Sequence, residues 1–269
     1  MIGCYKQYHI AYWTIGIILM IGMIAFDFMH IDLFWLSFIV CVVLIILDAI
    51  FFTRLTSKKL ANEVIVLLND CRIHDYINEV DRLLSKKKGP TRSMYNYMIA
   101  AGYSMLNDYD KVYECCQKIT FRSHMSEYHV RMIDYYLNKE QFELAEKEME
   151  EMKKLLSKMK KKSTKAVYEM SLKSAEYALR IRRGDYGGAE EFYLGVLASP
   201  NTKANITRTS YSYALGKLLV LKGDPEGARP YLKTSIETAG DSKYKEFSEK
   251  KLAEIDQNAD QNSDKVADL

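Results

Sequence analysis

The sequence predicts an all-α chain: an N-terminal transmembrane helical hairpin, then an α-solenoid of about five helix pairs, then a C-terminal capping helix. Three observations carry this. Two long apolar runs without charge open the chain. After Thr56 apolar residues recur every three or four positions, the helical period. Turns holding Gly, Asn and Asp punctuate that pattern at intervals near those of a helical-hairpin repeat, about 34 residues. Composition agrees: 269 residues include 13 glycines and 4 prolines, too few for a loop-rich or all-β fold. Leu, Ala, Glu and Lys, all good helix formers, are plentiful. Lysine and arginine number 38 against 35 acidic residues, a surplus too small to argue for nucleic acid. The cysteines at 4, 41, 71, 115 and 116 form neither a Cys-x-x-Cys metal pair nor a disulfide framework, which fits a reducing compartment.

Residues 1–56 read as the membrane hairpin, with spans over about 9–27 and 33–52. Ile10 to Phe26 carries no charge, and Leu33 to Leu47 is again uncharged, continuing apolar past Asp48 to Phe52. Each run approaches the ~20 residues with which a helix crosses a ~30 Å hydrocarbon layer. Tyr8, Tyr12 and Trp13, Phe34 and Trp35, and Phe51 and Phe52 crowd the ends, where aromatic rings settle among headgroups. The link holds Asp27, His30 and Asp32 but no Lys or Arg, whereas Lys6 precedes the first span and Arg54, Lys58 and Lys59 follow the second. Positive charge stays inside, so both termini are expected in the cytoplasm. The expectation is an integral membrane protein of a bacterial plasma membrane, touching the lipid bilayer through residues 9–52. A cleaved signal peptide fits less well, since no small-x-small site follows Phe26 and a second span comes at once. Asp48, near the end of its span, reads as a side chain reaching the interface.

Residues 57–255 read as the repeat domain. The small or branched residues Val80, Val112, Ala145, Ala189 and Ala228 follow successive turns at separations of 32, 33, 44 and 39. The turns centre on Asp75, Asp108, Asn138 to Glu140, Gly184-Asp185 and Gly223-Asp224. Glycine stops one helix and an acidic residue caps the next. Gly216 and Ala228 are placed where paired helices cross closely, because a larger side chain there would force the axes apart. The interval of 44 is explained by a long helix with Phe142, Ala145, Met149, Met152, Leu155, Leu156 and Met159 on one face; the next helix begins near Ser163. The extra length is expected to overhang the stack. Ser199 to Lys203 reads as a loop. Tyr244, Phe247, Leu252 and Ile255 predict a final amphipathic helix over the open end, and residues 256–269, polar throughout, predict a disordered tail.

These residues resemble the tetratricopeptide repeat family over residues 60 to about 255. The last copy matches best, with Leu215-Gly216 in the first helix, Gly223-Asp224 in the turn and Ala228 in the second helix. The fourth keeps Gly184-Asp185, Ala189 and Tyr193; the second and third keep Tyr103 and Tyr136; the first rests on Leu67-Leu68 and Val80. The family's tryptophan is missing from every copy. The resemblance implies a concave groove, lined by first helices, that takes a protein or peptide partner. Register from the turns nominates Tyr97, Ala101, Glu127, Val130, Asp134, Ser174, Tyr213 and Lys217 as its lining. The Lys and Asn residues with which family members clamp a peptide's terminal carboxylate have no counterparts.

Chemistry is not legible. His124, Glu127 and His129 suggest metal ligands, but the histidines lie five apart and do not share a helix face. Gly184 to Gly188 lacks the Gly-Lys-Ser/Thr ending of a phosphate loop. Adjacent Cys115 and Cys116 read as packing residues. No nucleophile, base and orienting group assemble. The expectation is a non-enzymatic scaffold without cofactor, metal or small-molecule substrate, held on the cytoplasmic face and binding a membrane-associated protein or peptide. The alternative is a regulatory protein that binds nucleic acid or anionic lipid through Lys86 to Lys88 and Lys158 to Lys162. Solvated helix ends explain those lysines more simply, and nucleic acid is not expected.

Overall fold

The computed structural model describes residues 62–85, 90–200 and 204–267, with isolated positions elsewhere. The chain splits into two compact units, Met1–Glu63 and Val64–Leu269, and the helices from Ile73 onward lie in the second. A first helix, α1, is described over 62–69. It is followed by α2 (Ile73–Leu84), α3 (Pro90–Met105), α4 (Tyr109–Cys116), α5 (Met125–Asn138), α6 (Phe142–Lys158), α7 (Lys162–Arg182), α8 (Ala189–Ala198), α9 (Asn205–Leu221), α10 (Pro225–Thr238) and α11 (Tyr244–Ala267). A 3-10 turn at Arg122–His124 leads into α5. No strand occurs among the described residues, so the all-α class stands.

Among the described residues no helix is long and apolar enough to cross a membrane. That finding overturns the placement as an integral membrane protein with cytoplasmic termini. The longest helices, α7 and α11, carry charge at nearly every turn, as in Lys165, Glu169, Lys173 and Glu176 of α7. The spans read over 9–27 and 33–52, and the bilayer contact with them, fall almost wholly outside the described residues. Lys86 and Lys87 fall outside them too, as does part of the loop at 201–203.

One backbone device joins α1 to α2, α3 to α4, α5 to α6, α7 to α8 and α9 to α10. Cys71, Asn107, Glu140, Gly184 and Gly223 all adopt a left-handed φ between +57° and +84°. The amide that follows each donates to the carbonyl five residues back at 2.9–3.0 Å: Arg72 to Leu67, Asp108 to Tyr103, Gln141 to Tyr136, Asp185 to Arg180 and Asp224 to Leu219. This closes off carbonyls that a helix end leaves unpaired. Asp108 and Asp224 then cap the next helix by accepting from the amides of Lys111 and Gly227, and Asp185 accepts from Gly187. Five positions after each left-handed residue stands a side chain at most 2% exposed: Tyr76, Val112, Ala145, Ala189 and Ala228. In the first hairpin that position is Tyr76, one turn before Val80, and Asp75 lies inside α2 in an ion pair with Arg72. The register of the first copy is corrected accordingly.

The core runs as a chain of clusters between successive helices. Val64, Tyr76, Val80 and Ile99 join α1, α2 and α3. Ala100, Val112, Cys116 and Met132 join α3, α4 and α5. Burial pushes the Cys116 thiol up to about 12 and raises Cys115, so both pack without thiolate character. A third cluster links α5, α6 and α7, and a fourth α8 to α11. Met152 and Leu156 of α6 are sealed against Leu172 and Leu179 of α7. The extra length expected to overhang therefore builds its own section of core.

Helix spacing follows side-chain size. A Cβ on Gly216 would meet Leu232 at 2.8 Å, and α9 and α10 are the most intimately packed pair. Between α7 and α8, Tyr177 stacks on Phe192 at 4.8 Å between ring centres, and the rings hold these helices apart. At the end, Leu252 and Ile255 of α11 cover the last hairpin, as the amphipathic pattern predicts. The helix continues to Ala267 through residues read as a disordered tail, since neither Gly nor Pro follows Gly240 to stop it.

Candidate functional site

The first helices of three hairpins, α3, α5 and α7, form a row, with α3 against α5 and α5 against α7, and α9 continues it more loosely, touching α7 through side chains such as Ser174 and Tyr211. Every nominated groove residue lies on this row. Ala101 is buried and the others are half-buried. Tyr97, from the middle of α3, and Glu127, in the first turn of α5, come near one another. Tyr168 donates to Glu127 Oε1 at 2.5 Å, and the Tyr97 ring lies 5.3 Å from that of His124. Burial, then the charge of Glu127, pushes Tyr97 up to about 12, and the same causes raise Tyr168. Glu127 Oε2 is buried without a hydrogen-bond partner among the described residues. A carboxylate oxygen so placed, framed by rings, accepts an N–H donor.

Asp134, Tyr213 and Lys217 gather toward the C-terminal ends. Ser104 donates to Asp134 at 3.2 Å and Arg131 reaches the same oxygen at 3.3 Å. Arg182 donates to the Leu137 carbonyl. Burial, then Arg182 and Lys251, lowers the pKa of Lys217. The remaining nominees pack: Val130 joins the core between α5, α6 and α7, and Ser174 meets the Tyr211 hydroxyl.

This second group is covered by the chain itself. Tyr244 and Phe247 of α11 lie over Tyr213, at 5.5 and 5.8 Å between ring centres. The loop before them crosses to the opposite end of the stack. Asp241 N–H donates to the Cys71 carbonyl at 3.0 Å, and Lys243 N–H to Met105 at 2.8 Å. The Asp241 carboxylate accepts from the amides of Ile73 and His74, 168 and 167 residues away, and sits 2.6 Å from His74 Nδ1. Arg72, at the cap position of α2, provides no side-chain cap, and Asp241 supplies it from afar. Burial opposes its charge, but the two amides and the imidazole outweigh that and hold its pKa down. Gly240, at φ +55°, is required here, because a Cβ would meet the Cys71 carbonyl oxygen at 2.3 Å.

Lys243 completes the closure. Its Nζ donates to the Tyr109 hydroxyl at 2.8 Å and lies 4.9 Å from the centre of that ring. Burial pulls its pKa down to about 8; Asp134 opposes this, and Arg131 and Arg182 add to it. A cleft of about 670 Å³ opens alongside, between the turn Leu106 to Asp110, Lys139 and the segment from Gly240 onward.

The three residues read as a conceivable metal set do not converge: His129 Nδ1 lies 2.5 Å from Glu148, while His124 and Glu127 both lie beside Tyr97. Sequence reasoning missed Tyr168, Arg131, Arg182, Asp241 and Lys243, and read Tyr244 and Phe247 only as part of the capping helix. One signal was present: Gly240-Asp241 repeats the Gly-Asp pair of the fourth and fifth turns. Comparison with protein-family models, with curated proteins and with solved structures finds no match.

Proposed function

We propose that this chain is a non-enzymatic interaction protein of tetratricopeptide type, binding a polypeptide partner along the row α3, α5, α7 and α9. The observation that carries the reading is a single turn built five times, with the same left-handed residue, the same return hydrogen bond and the same buried position after it. Such repetition sets α3, α5 and α7 side by side at the ~10 Å spacing of packed helices, with α9 beyond them at a wider step, and such a row offers side chains to a bound chain. The row's chemistry suits a peptide. Tyr97 and Tyr168 offer half-buried amphipathic rings, and Glu127, with Oε1 taken by Tyr168 and Oε2 buried without a donor among the described residues, accepts an amide, ammonium or guanidinium once a partner parts those rings.

Selection of a random peptide library displayed on phage against the full chain tests this. A recurring sequence pattern is expected, with affinity falling at least tenfold when Tyr97→Ala and Glu127→Ala are introduced together. Selection without a pattern, or one indifferent to both substitutions, overturns the reading.

A further inference from the structure

We propose that the second group on the row, together with the start of α2 and Tyr109 of α4 beside it, is a docking groove for a polypeptide segment carrying a carboxylate, an ammonium and two aromatic rings in the order of Asp241, Lys243, Tyr244 and Phe247, and that residues 241–247 hold it in cis until such a segment displaces them. The inference rests on the reading of the row as a peptide-binding surface and adds the partner's chemistry and its control.

The covering segment has the contacts of a ligand more than those of a cap. Apolar capping of the last hairpin is already provided by Leu252 and Ile255, farther along α11. The residues before them contact distant elements through directed polar bonds. The turn at 240–243, just before α11 begins, points the amides of Asp241 and Lys243 outward to the carbonyls of Cys71 and Met105, so the main chain as well as the side chains is held by distant elements. Side chains then read three different seats: the amides opening α2 take the carboxylate, Tyr109 takes the ammonium, and Tyr213 takes the two rings.

The carboxylate end of the seat is also open to competition. His74 is 66% exposed and Asp241 36%, so solvent and competing groups reach their contact. Lys243 is lodged beside Arg131 and Arg182, which work against its charge. The cleft gives an incoming chain access along one side of the segment, and Gly240 marks where the segment leaves α10. A ligand held nearby by its own chain has a high effective concentration, so moderate contacts suffice to keep the groove shut.

The probe is a fluorescent synthetic peptide of residues 239–251, measured by anisotropy against the full chain. In a released chain, Asp241→Ala with Tyr244→Ala, binding is expected to be at least tenfold tighter than in the unaltered chain. Ser242 lies beside the Cys71 thiol, so Ser242→Cys lets a disulfide lock the segment in place. The oxidised form is expected not to bind the peptide, and reduction to restore binding. Because both redox forms share one sequence, this comparison stands even if the released chain folds poorly. Equal binding in oxidised and reduced forms overturns the proposal. So does a released chain that doubles in mass by exchanging this segment between two copies. A library selection that fails at Tyr97 while the peptide binds counts against the broader function and leaves the groove standing; the reverse pattern rejects the groove alone.

Discussion

Lys243 brings an ammonium into a space it shares with Arg131 and Arg182, and its folded pKa of about 8 lies below the ordinary lysine value of about 10.4. Between those values the unfolded chain binds more protons than the folded one, so stability from this group rises as pH rises from about 8 toward 10. Above that window the trend reverses, because burial raises the pKa of Tyr109 and Tyr244 and keeps them neutral while unfolded tyrosines ionise. Lys243→Met is expected to gain about 1 kcal/mol at pH 7, since a buried charge exchanged for an apolar chain of similar length is often stabilising. It is also expected to flatten the rise above pH 8, as read by urea unfolding at several pH values; an unchanged slope rejects the assignment. At this scale the sequence was only partly readable. Register places Tyr97 and Glu127 on one surface, and they do lie close enough for the Glu127 charge to act on the Tyr97 hydroxyl, whereas Val130 has the same credentials and is core. Helical periodicity gives the side of a helix a residue occupies. It does not give the neighbour that arrives there from another helix.

At the scale of the element, the same turn is made with glycine twice and with Cys71, Asn107 and Glu140 three times. A side chain in the left-handed region costs roughly 1 kcal/mol, which Asn largely escapes and glycine does not incur. Glu140→Gly is therefore expected to stabilise the chain by about 0.5 kcal/mol, after subtracting glycine's greater freedom when unfolded. Gly184→Ala is expected to cost about 1 kcal/mol. The pair is measured by chemical denaturation, and a destabilised Glu140→Gly means that contacts of the Glu140 side chain outweigh the backbone term. This also explains which hairpins were easy to see. Glycine announces a left-handed residue, whereas at Cys71 and Glu140 the conformation is imposed by the buried Tyr76 and Ala145 pulling the next helix home. Without that announcement the first copy slipped by one turn. The spacing of 44 is plain in the sequence, yet its meaning depends on Leu172 and Leu179 returning to cover Met152 and Leu156, a contact between two helices that neither pattern contains.

For the molecule as a whole, the question is whether stability passes only between neighbours, as in an open array of repeats. Here the loop after the fifth hairpin caps a helix of the first, and Cys71 Sγ stands 4.0 Å from Thr209 Oγ1 of α9. No local pattern gives that closure, because it depends on small rotations accumulated over five hairpins. Its one trace in the sequence is the pair Gly240-Asp241, which resembles just another turn. Closure makes the first hairpin depend on the last. Gly240→Val drives a side chain into the Cys71 carbonyl and forces the loop away. Hydrogen exchange should then show the amides of Ile73 and His74 losing protection, on the order of tenfold, while those around Met149 and Met152 keep theirs. The unaltered chain should reach the same state in acid. Asp241 has a folded pKa below the ordinary value of about 3.9, so its contribution is complete above that value and is lost as pH falls through the depressed one. If protection at Ile73 and His74 survives in Gly240→Val, the ends are joined by packing around Thr209 and Cys71, and the carboxylate cap is dispensable. If protection falls evenly through the chain, the hairpins unfold as one body and the nearest-neighbour description fails altogether.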